Sequence, residues 1–374
     1  MKRILVFETA LSGHRLEYIH HLYMKGVEDC GNMYYFVLPD SFNQIKLKSE
    51  WPKANNIIFD LMSQSSLHRC ENSNQIYRAY KKTSLLLEYK RKWNADVAIL
   101  IMLMDFAPFV SFVNWGDTKI RGIIYKVYLH EQKGMNMFRK LLNQLVYYLF
   151  AKRKSFEWLY VLNDKKGESE LNKLFRSDKF RYLPDPVPCI NENSVLSIRN
   201  ELGASETDKV FLQFGELTER KGTLDILKAA ELNDSEKLSH VVIVFAGVVK
   251  EEIRESFYFK VKSLSGKVRI VVYDEFCPYE LLYKLCKSCD VVLVPYHFVN
   301  LSSGVIGYAA LFGKPVIGPS QGVLGNLISS NMLGVTLDDV SAEGLKDIFQ
   351  MTIPDVTNAY CQTHTIKNFV DAIL

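Results

Sequence analysis

Phe211-Leu-Gln-Phe-Gly-Glu-Leu-Thr-Glu-Arg-Lys-Gly222 reads as an apolar strand, a glycine turn and a basic pair set directly before a helix, Thr223 to Leu232. Gly215 allows the tight turn after the strand. A helix start presents N–H groups with no intrahelical partner, and two cations above it suit a diphosphate. Outward from this stretch the strand-then-helix pattern recurs, which is the signature of parallel sheets covered by helices. Downstream, strands are predicted at Val241–Ala246, Val268–Val272, Val291–Pro295 and Pro315–Ile317. Upstream they are predicted at Ile4–Phe7, Tyr34–Leu38, Asn56–Phe59, Val97–Leu103, Ile120–Tyr125 and Trp158–Leu162.

Between the two sets lies Leu183-Pro-Asp-Pro-Val-Pro188, whose prolines forbid helix and central strand alike. At 374 residues the chain is long enough for two cores. The expected division is a Rossmann-like domain over 1–184 and a second over 185–357, both doubly wound α/β, with a C-terminal helix over 358–374 returning to the first. Such folds bind ligands beyond the carboxyl ends of their strands, so two of them facing each other would make a cleft of loops. Hydrophobic residues at 48% and charged residues at 24% exclude disorder and fibrous repeats. A net charge of +4 argues against nucleic acid as the main partner.

A second anion site is expected where Val291-Val-Leu-Val-Pro295 gives way to a polar loop and Ser302-Ser-Gly304 opens a helix. The seven cysteines, Cys30, Cys70, Cys189, Cys277, Cys286, Cys289 and Cys361, show no paired metal or redox spacing and read as reduced thiols. The apolar run after Met1-Lys-Arg3 is too short for a signal peptide and no stretch is long enough to span a membrane, so a cytoplasmic location is expected. Met135 to Lys154 mixes apolar residues with Arg139, Lys140, Lys152, Arg153 and Lys154. It reads as a core helix with basic ends or as an interfacial helix on anionic lipid at the inner face of the membrane. Asp105, after an apolar run, is a loop or cap residue or an acceptor-side catalytic one; Asn163-Asp164 reads as the cap of a helix starting at Lys165.

Residues 205–340 resemble the retaining GT-B glycosyltransferases of the glycogen-synthase-like kind, glycosyltransferase family four. Gly215-Glu-Leu-Thr-Glu-Arg-Lys-Gly222 is similar to that family's G-R-L-x-x-x-K-G segment. Val242-Ile-Val-Phe-Ala-Gly247, Val268 to Phe276, Glu280 to Asp290, Gly313-Lys-Pro-Val-Ile317 and Gly322 to Ile328 follow in the family's order. The resemblance implies that Lys221, helped by Arg220, neutralises the donor diphosphate. Residues near Phe276 would line the base, and Ser303, Gly304 and Val305 would cap phosphate with backbone amides. Gly13, Gly215, Leu301, Ser302 and Tyr308 complete the implied donor set. A pocket that binds the growing charge of a leaving nucleotide stabilises the transition state. No metal or other cofactor is implied, and no Asp-x-Asp motif is present.

Three positions depart from the family pattern. Its two glutamates of E-x7-E fall on Asn300 and Tyr308, and its G-R-L arginine falls on Glu216. Asn300 can still hold sugar hydroxyls, and a Tyr308 hydroxyl can bond a ribose. In the N-terminal half Gly13 and His14, in the loop after the first strand, are candidates for the donor phosphate or acceptor, with His14 alternatively an ordinary loop histidine. Lys126, His130 and Glu131 are further candidates. The function implied is sugar transfer from a nucleotide sugar to a hydroxyl of a polysaccharide or lipid-linked glycan, with Arg220, Lys221, Asn300, Asp105 and His14 as the catalytic set. A non-catalytic nucleotide- or glycan-binding protein and a nucleotide-sugar epimerase are the alternatives. Nucleotide release, binding without turnover, or a changed sugar on intact donor would distinguish the three.

Overall fold

The structure, a computed structural model, describes residues 1–45, 50–65, 67, 74–131, 134–357 and 359–374. Cys70 and Asn358 lie outside them. The chain divides into two compact units, one of Met1–Leu183 with Lys367–Leu374 and one of Pro184–Ile366.

The first unit is a seven-stranded sheet in the order β3-β2-β1-β4-β5-β6-β7. Its strands are β1 Arg3–Phe7, β2 Met33–Pro39, β3 Ile57–Met62, β4 Val97–Leu100, β5 Lys119–Ile124, β6 Phe156–Leu162 and β7 Phe180–Leu183. Every pairing is parallel. The longer helices are α1 His14–Glu28, α2 Gln75–Lys92, α3 Met137–Lys152 and α4 Lys165–Phe175. The second unit is a six-stranded parallel sheet in the order β10-β9-β8-β11-β12-β13. It uses β8 Lys209–Phe214, β9 Val241–Ala246, β10 Arg269–Tyr273, β11 Val291–Leu293, β12 Val316–Pro319 and β13 Gly334–Leu337. Its helices include α5 Thr223–Glu231, α6 Glu251–Ser263, α7 Tyr279–Ser288, α8 Val305–Leu311 and α9 Gly322–Ser330.

Helices on both faces of a parallel sheet demand strands that are apolar on both sides, and β9, Val-Val-Ile-Val-Phe-Ala, is buried at all six positions. The strand order reverses between β1 and β4 in one sheet and between β8 and β11 in the other. At such a point neighbouring connections leave in opposite directions, and a crevice opens above the strand ends.

The strands that were not predicted, β7 and β13, are the outer strands of the two sheets. Phe180-Arg-Tyr-Leu183 and Gly334-Val-Thr-Leu337 are short and only partly covered, so neither carries a continuous apolar run. The strand expected over Val97–Leu103 stops at Leu100, and a 3₁₀ turn, Leu103–Phe106, follows and holds Asp105. Asp164 caps α4, accepting the Gly167 N–H at 2.8 Å. Cys286 and Cys289 are buried on and beside α7, and burial pushes the Cys289 thiol up to about 12.

The C-terminal stretch is split. Ala359–Thr363 forms a short helix whose Tyr360 lies in the second unit's core. Only the following helix, α10 Ile366–Ile373, reaches the first unit. There Phe369 packs on Tyr18 with ring centres 4.6 Å apart, and Arg121 Nη1 donates to the carbonyls of Ile373 and Leu374 at 2.8 Å.

Between β5 and α4, His130 Nε2 lies 2.6 Å from Asp164 Oδ2, and Lys126 pairs with Glu131. The hydrogen bond to Asp164 raises the His130 pKa above its ordinary value in spite of burial. A raised folded pKa adds stability that is complete below about 6.5, the unfolded value, and fades as pH climbs through the folded value. His130→Gln should therefore cost about 1.5–3 kcal/mol at pH 5.5. Urea unfolding midpoints of the variant and its parent should draw together as pH is raised from 6.5 through the folded value.

Candidate functional site

In the second unit the glycine turn after β8 is fixed by three local devices. Gly215 has φ 90°, which only glycine adopts without strain. Thr218 caps the 3₁₀ turn Glu219–Lys221, accepting the Lys221 N–H at 3.2 Å. Gln213, buried on β8, donates its amide to the Lys221 carbonyl at 2.8 Å. Gly222, with φ 67°, then starts α5.

This turn is stitched to the loop after β11. The Gly222 Cα faces the Pro295 carbonyl so closely that any side chain would collide with it. The His297 N–H donates to the Arg220 carbonyl at 3.0 Å. Lys221 Nζ stands over the Tyr296 ring, 5.4 Å from its centre, and the Tyr296 hydroxyl lies 3.5 Å from Ser303 Oγ. Folding therefore joins, at one switch point, two loops that lie some 80 residues apart in the sequence.

Carboxylates stand near this junction: Asp225 Oδ2 lies 2.8 Å from His297 Nε2, and Lys221 and Arg220 add to the pull of Lys250 on the Glu216 carboxyl. Among the described residues neither Arg220 nor Lys221 forms an ion pair. Ile306 and Gly307 spend their N–H groups on the carbonyls of Ser303 and Gly304. The N–H groups of Ser303, Gly304 and Val305 carry no hydrogen bond among the described residues, so three amides and two cations remain for an anion. Leu301 and Ser302 lie in the same loop, and Asn300 precedes them. Phe276 projects 83% exposed from the loop after β10.

The departures from the family pattern have structural counterparts. Glu216 pairs with Lys250 at 2.8 Å, and that hydrogen bond holds its carboxyl below the usual carboxylate range. Its charge is thereby drawn to Lys250. Tyr308 is buried in the core, stacked on Tyr283 and edge-on to Phe214.

In the first unit Gly13 caps α1 with φ 65°, and open space surrounds its Cα. His14 is the first residue of α1 rather than a loop residue, with Nδ1 3.4 Å from Glu17 Oε2. Burial opposes it, but hydrogen bonds with His14 and His21 bring the Glu17 carboxyl down to about 2. Asp105 is enclosed by cations: its Oδ2 accepts from Lys82 Nζ at 2.8 Å and from both Arg15 Nη atoms at 3.3 Å. Arg15 also reaches Glu8 Oε1 at 2.8 Å. Glu8 is fully buried, and desolvation pushes its pKa up against the pull of Arg15. Arg15, Lys82 and Asp105 rim a cleft of about 320 Å³ beyond the ends of β1 and β4.

Residues 195–353 match the family model of glycosyl transferases group 1. The matched stretch lies within the second unit, which carries this family's domain. The chain shares its GT-B fold with WaaG, a glycosyltransferase involved in lipopolysaccharide biosynthesis, at 15% identity and TM-score 0.63, over 99% of this chain and 95% of that one. It also matches Anabaena Alr3699/HepE in complex with UDP and glucose, at 13% identity and TM-score 0.64, over 100% and 95%. Sucrose-phosphate synthase of Thermosynechococcus elongatus matches at 14% identity and TM-score 0.62, over 100% and 95%. No curated protein matches the sequence.

Arg15, Lys82, Glu8, Thr218 and Gln213 were not predicted as parts of either site. Glu8 and Arg15 flank the Gly13–His14 turn and could have been found as the first charges after a strand end. Lys82 sits in a helix rich in lysine, and nothing local marks it.

Two substitutions in the glycosyltransferase's turn should separate geometry from charge. Gly222→Ala forces a Cβ toward the Pro295 carbonyl at positive φ and should lower unfolding stability by at least about 1–3 kcal/mol. Lys221→Ala breaks no ion pair and should stay within about 0.5 kcal/mol of the parent. Chemical denaturation of both variants checks the contrast.

Proposed function

We propose that this glycosyltransferase is a retaining enzyme that moves a sugar from a nucleoside diphosphate to an acceptor hydroxyl in cell-surface polysaccharide or lipid-linked glycan synthesis. The observation that carries the reading is the junction of Arg220 and Lys221 with the amides of Ser303, Gly304 and Val305. A diphosphate placed there meets two cations and three N–H donors. As the sugar–phosphate bond breaks, charge grows on the leaving oxygen, and fixed donors in a partly desolvated site bind it more strongly than they bind the ground state.

The segment Tyr296 to Leu311 contains no carboxylate, so it offers no acid nucleophile beside that junction. The retaining course favoured here is attack on the face the phosphate leaves, with the leaving phosphate taking the acceptor proton. Asn300 would hold sugar hydroxyls and exposed Phe276 would stack on the base. The second unit then acts as the donor domain and the first as the acceptor domain.

The acceptor class draws support from α3. Val146, Tyr147, Phe150 and Ala151 bury one side of that helix, while Met137, Phe138, Leu141, Leu145 and Tyr148 form a second apolar stripe left exposed. Leu174 of α4 extends the stripe, and Arg139, Lys140 and Lys173 lie on or beside it. Apolar area bordered by cations suits an anionic lipid surface, to which each cation contributes about 1 kcal/mol. No helix among the described residues is long and apolar enough to cross a membrane.

With a panel of nucleotide sugars, nucleoside diphosphate should be released and the release should disappear in Lys221→Ala. Loss of one charge-assisted contact should also weaken nucleoside diphosphate binding about tenfold or more in calorimetric titration. Binding without turnover, even when a membrane extract supplies acceptor, would overturn the transferase reading. The double variant Phe138→Glu/Leu141→Glu should no longer co-sediment with phosphatidylglycerol vesicles, while the parent should sediment with them and not with phosphatidylcholine. Equal sedimentation of parent and variant would remove the membrane from the proposal.

A further inference from the structure

We infer that the cleft beyond β1 and β4 holds an uncharged sugar residue of the acceptor by two hydroxyls on adjacent ring carbons. This rests on the reading of the first unit as the acceptor domain and adds what that domain recognises. Arg15, Gln75, Lys82 and Asp105 give the cleft polar walls, and Ala79, Met104 and Ala107 give it apolar ones. The charges are matched: Arg15 and Lys82 stand against Asp105 and the buried Glu8, and Arg78 on the same rim is not free. An ionic ligand would bring a net charge into a partly enclosed space whose own charges already balance, and such a charge is costly to desolvate.

What this network leaves over is one acceptor beside one donor. Asp105 Oδ2 is taken by Lys82 Nζ at 2.8 Å and by both Arg15 Nη atoms at 3.3 Å, whereas Asp105 Oδ1 carries no hydrogen bond among the described residues. The donors gripping Oδ2 fix the carboxylate and leave its other oxygen as an acceptor. Lys82 spends one recorded bond on Asp105, and an ammonium carries three N–H donors. Gln75, exposed at the first position of α2, adds an amide whose side chain carries no hydrogen bond among the described residues and which both donates and accepts. Neighbouring sugar hydroxyls complement this set: one donates its proton to Asp105 Oδ1 while the oxygen of the other accepts from Lys82. Hydrogen bonds to charged groups are roughly twice as strong as neutral ones, so two of them orient a ring that carries no charge of its own. A carboxylate or phosphodiester ligand has acceptor oxygens only and would set them against Asp105 Oδ1. An amine would meet Lys82 and Arg15. The C–H face of a sugar ring has Ala79, Met104 and Ala107 to lie against.

The probes are the methyl pyranosides of glucose, galactose, mannose and N-acetylglucosamine, titrated into the full-length protein and followed by saturation-transfer NMR. The expected result is that at least one of them binds and that its binding weakens about tenfold in Asp105→Asn. Gln75→Ala should weaken it several-fold, and because Gln75 is exposed this variant keeps its fold even if Asp105→Asn disturbs the first unit. Removing one of the two adjacent hydroxyls from the glycoside should weaken binding to the parent as much as Asp105→Asn does. The inference is overturned if no glycoside binds, if binding is the same in the parent, Asp105→Asn and Gln75→Ala, or if the matching glycuronide binds as tightly as the neutral glycoside. Nucleoside diphosphate affinity, measured in the parent and in Lys221→Ala, tests the donor reading separately. Glycoside binding without nucleoside diphosphate binding would leave the cleft a sugar site and remove the transferase, and the reverse would remove the cleft alone.

Discussion

The carbonyl of Pro295 occupies the space that a side chain at position 222 would need. Because residue 222 is glycine, the turn after β8 can lie against the end of β11, and every other contact at that switch point follows from this approach. It brings the Arg220 carbonyl to the His297 N–H and sets Lys221 above Tyr296. The Tyr296 hydroxyl, 3.5 Å from Ser303 Oγ, carries the link on to the loop before α8. A second close contact supports the first: Gly247, at φ 140°, passes so near the Gly215 carbonyl that it too must lack a side chain. Buried parallel strands hold the two loops in place, and they do so with cations left uncompensated.

The two switch points solve different problems with similar side chains. In the second unit Arg220 and Lys221 form no ion pair among the described residues. In the first unit each cation recorded in an ion pair shares a carboxylate, and Glu8 is so deeply buried that its charge is itself resisted. The first arrangement favours tight capture of a highly charged group. The second favours orientation, since paired cations keep fixed directions and give up less affinity to bulk salt.

Much of this was legible in the residues. Central strands announce themselves because both of their faces are buried, and the Gly215–Gly222 stretch announces a tight turn because only glycine satisfies its geometry. The proline-rich segment after Leu183 marks where β7 ends, although β7 itself did not stand out. What escaped notice depended on partners distant in sequence. Asp105 reads as a strand-end acid until Arg15 and Lys82 are seen around it. Glu216 reads as a lost arginine until Lys250 appears 2.8 Å away. Tyr308 reads as a ligand residue until Phe214 and Tyr283 show it serving as core. Periodicity reports burial and turns, but not which charge meets which across a fold.

Helix α10 gives the chain a particular order of assembly. The first unit's sheet is encoded entirely before the second unit, yet Tyr18 meets Phe369, Lys25 meets Asp371, and Arg121 meets the carbonyls of Ile373 and Leu374. During synthesis the earlier unit must therefore wait, with that surface uncovered, while some 180 further residues emerge and fold. The last helix then acts as a closing clasp, so the finished first unit is also a record that the second has been made.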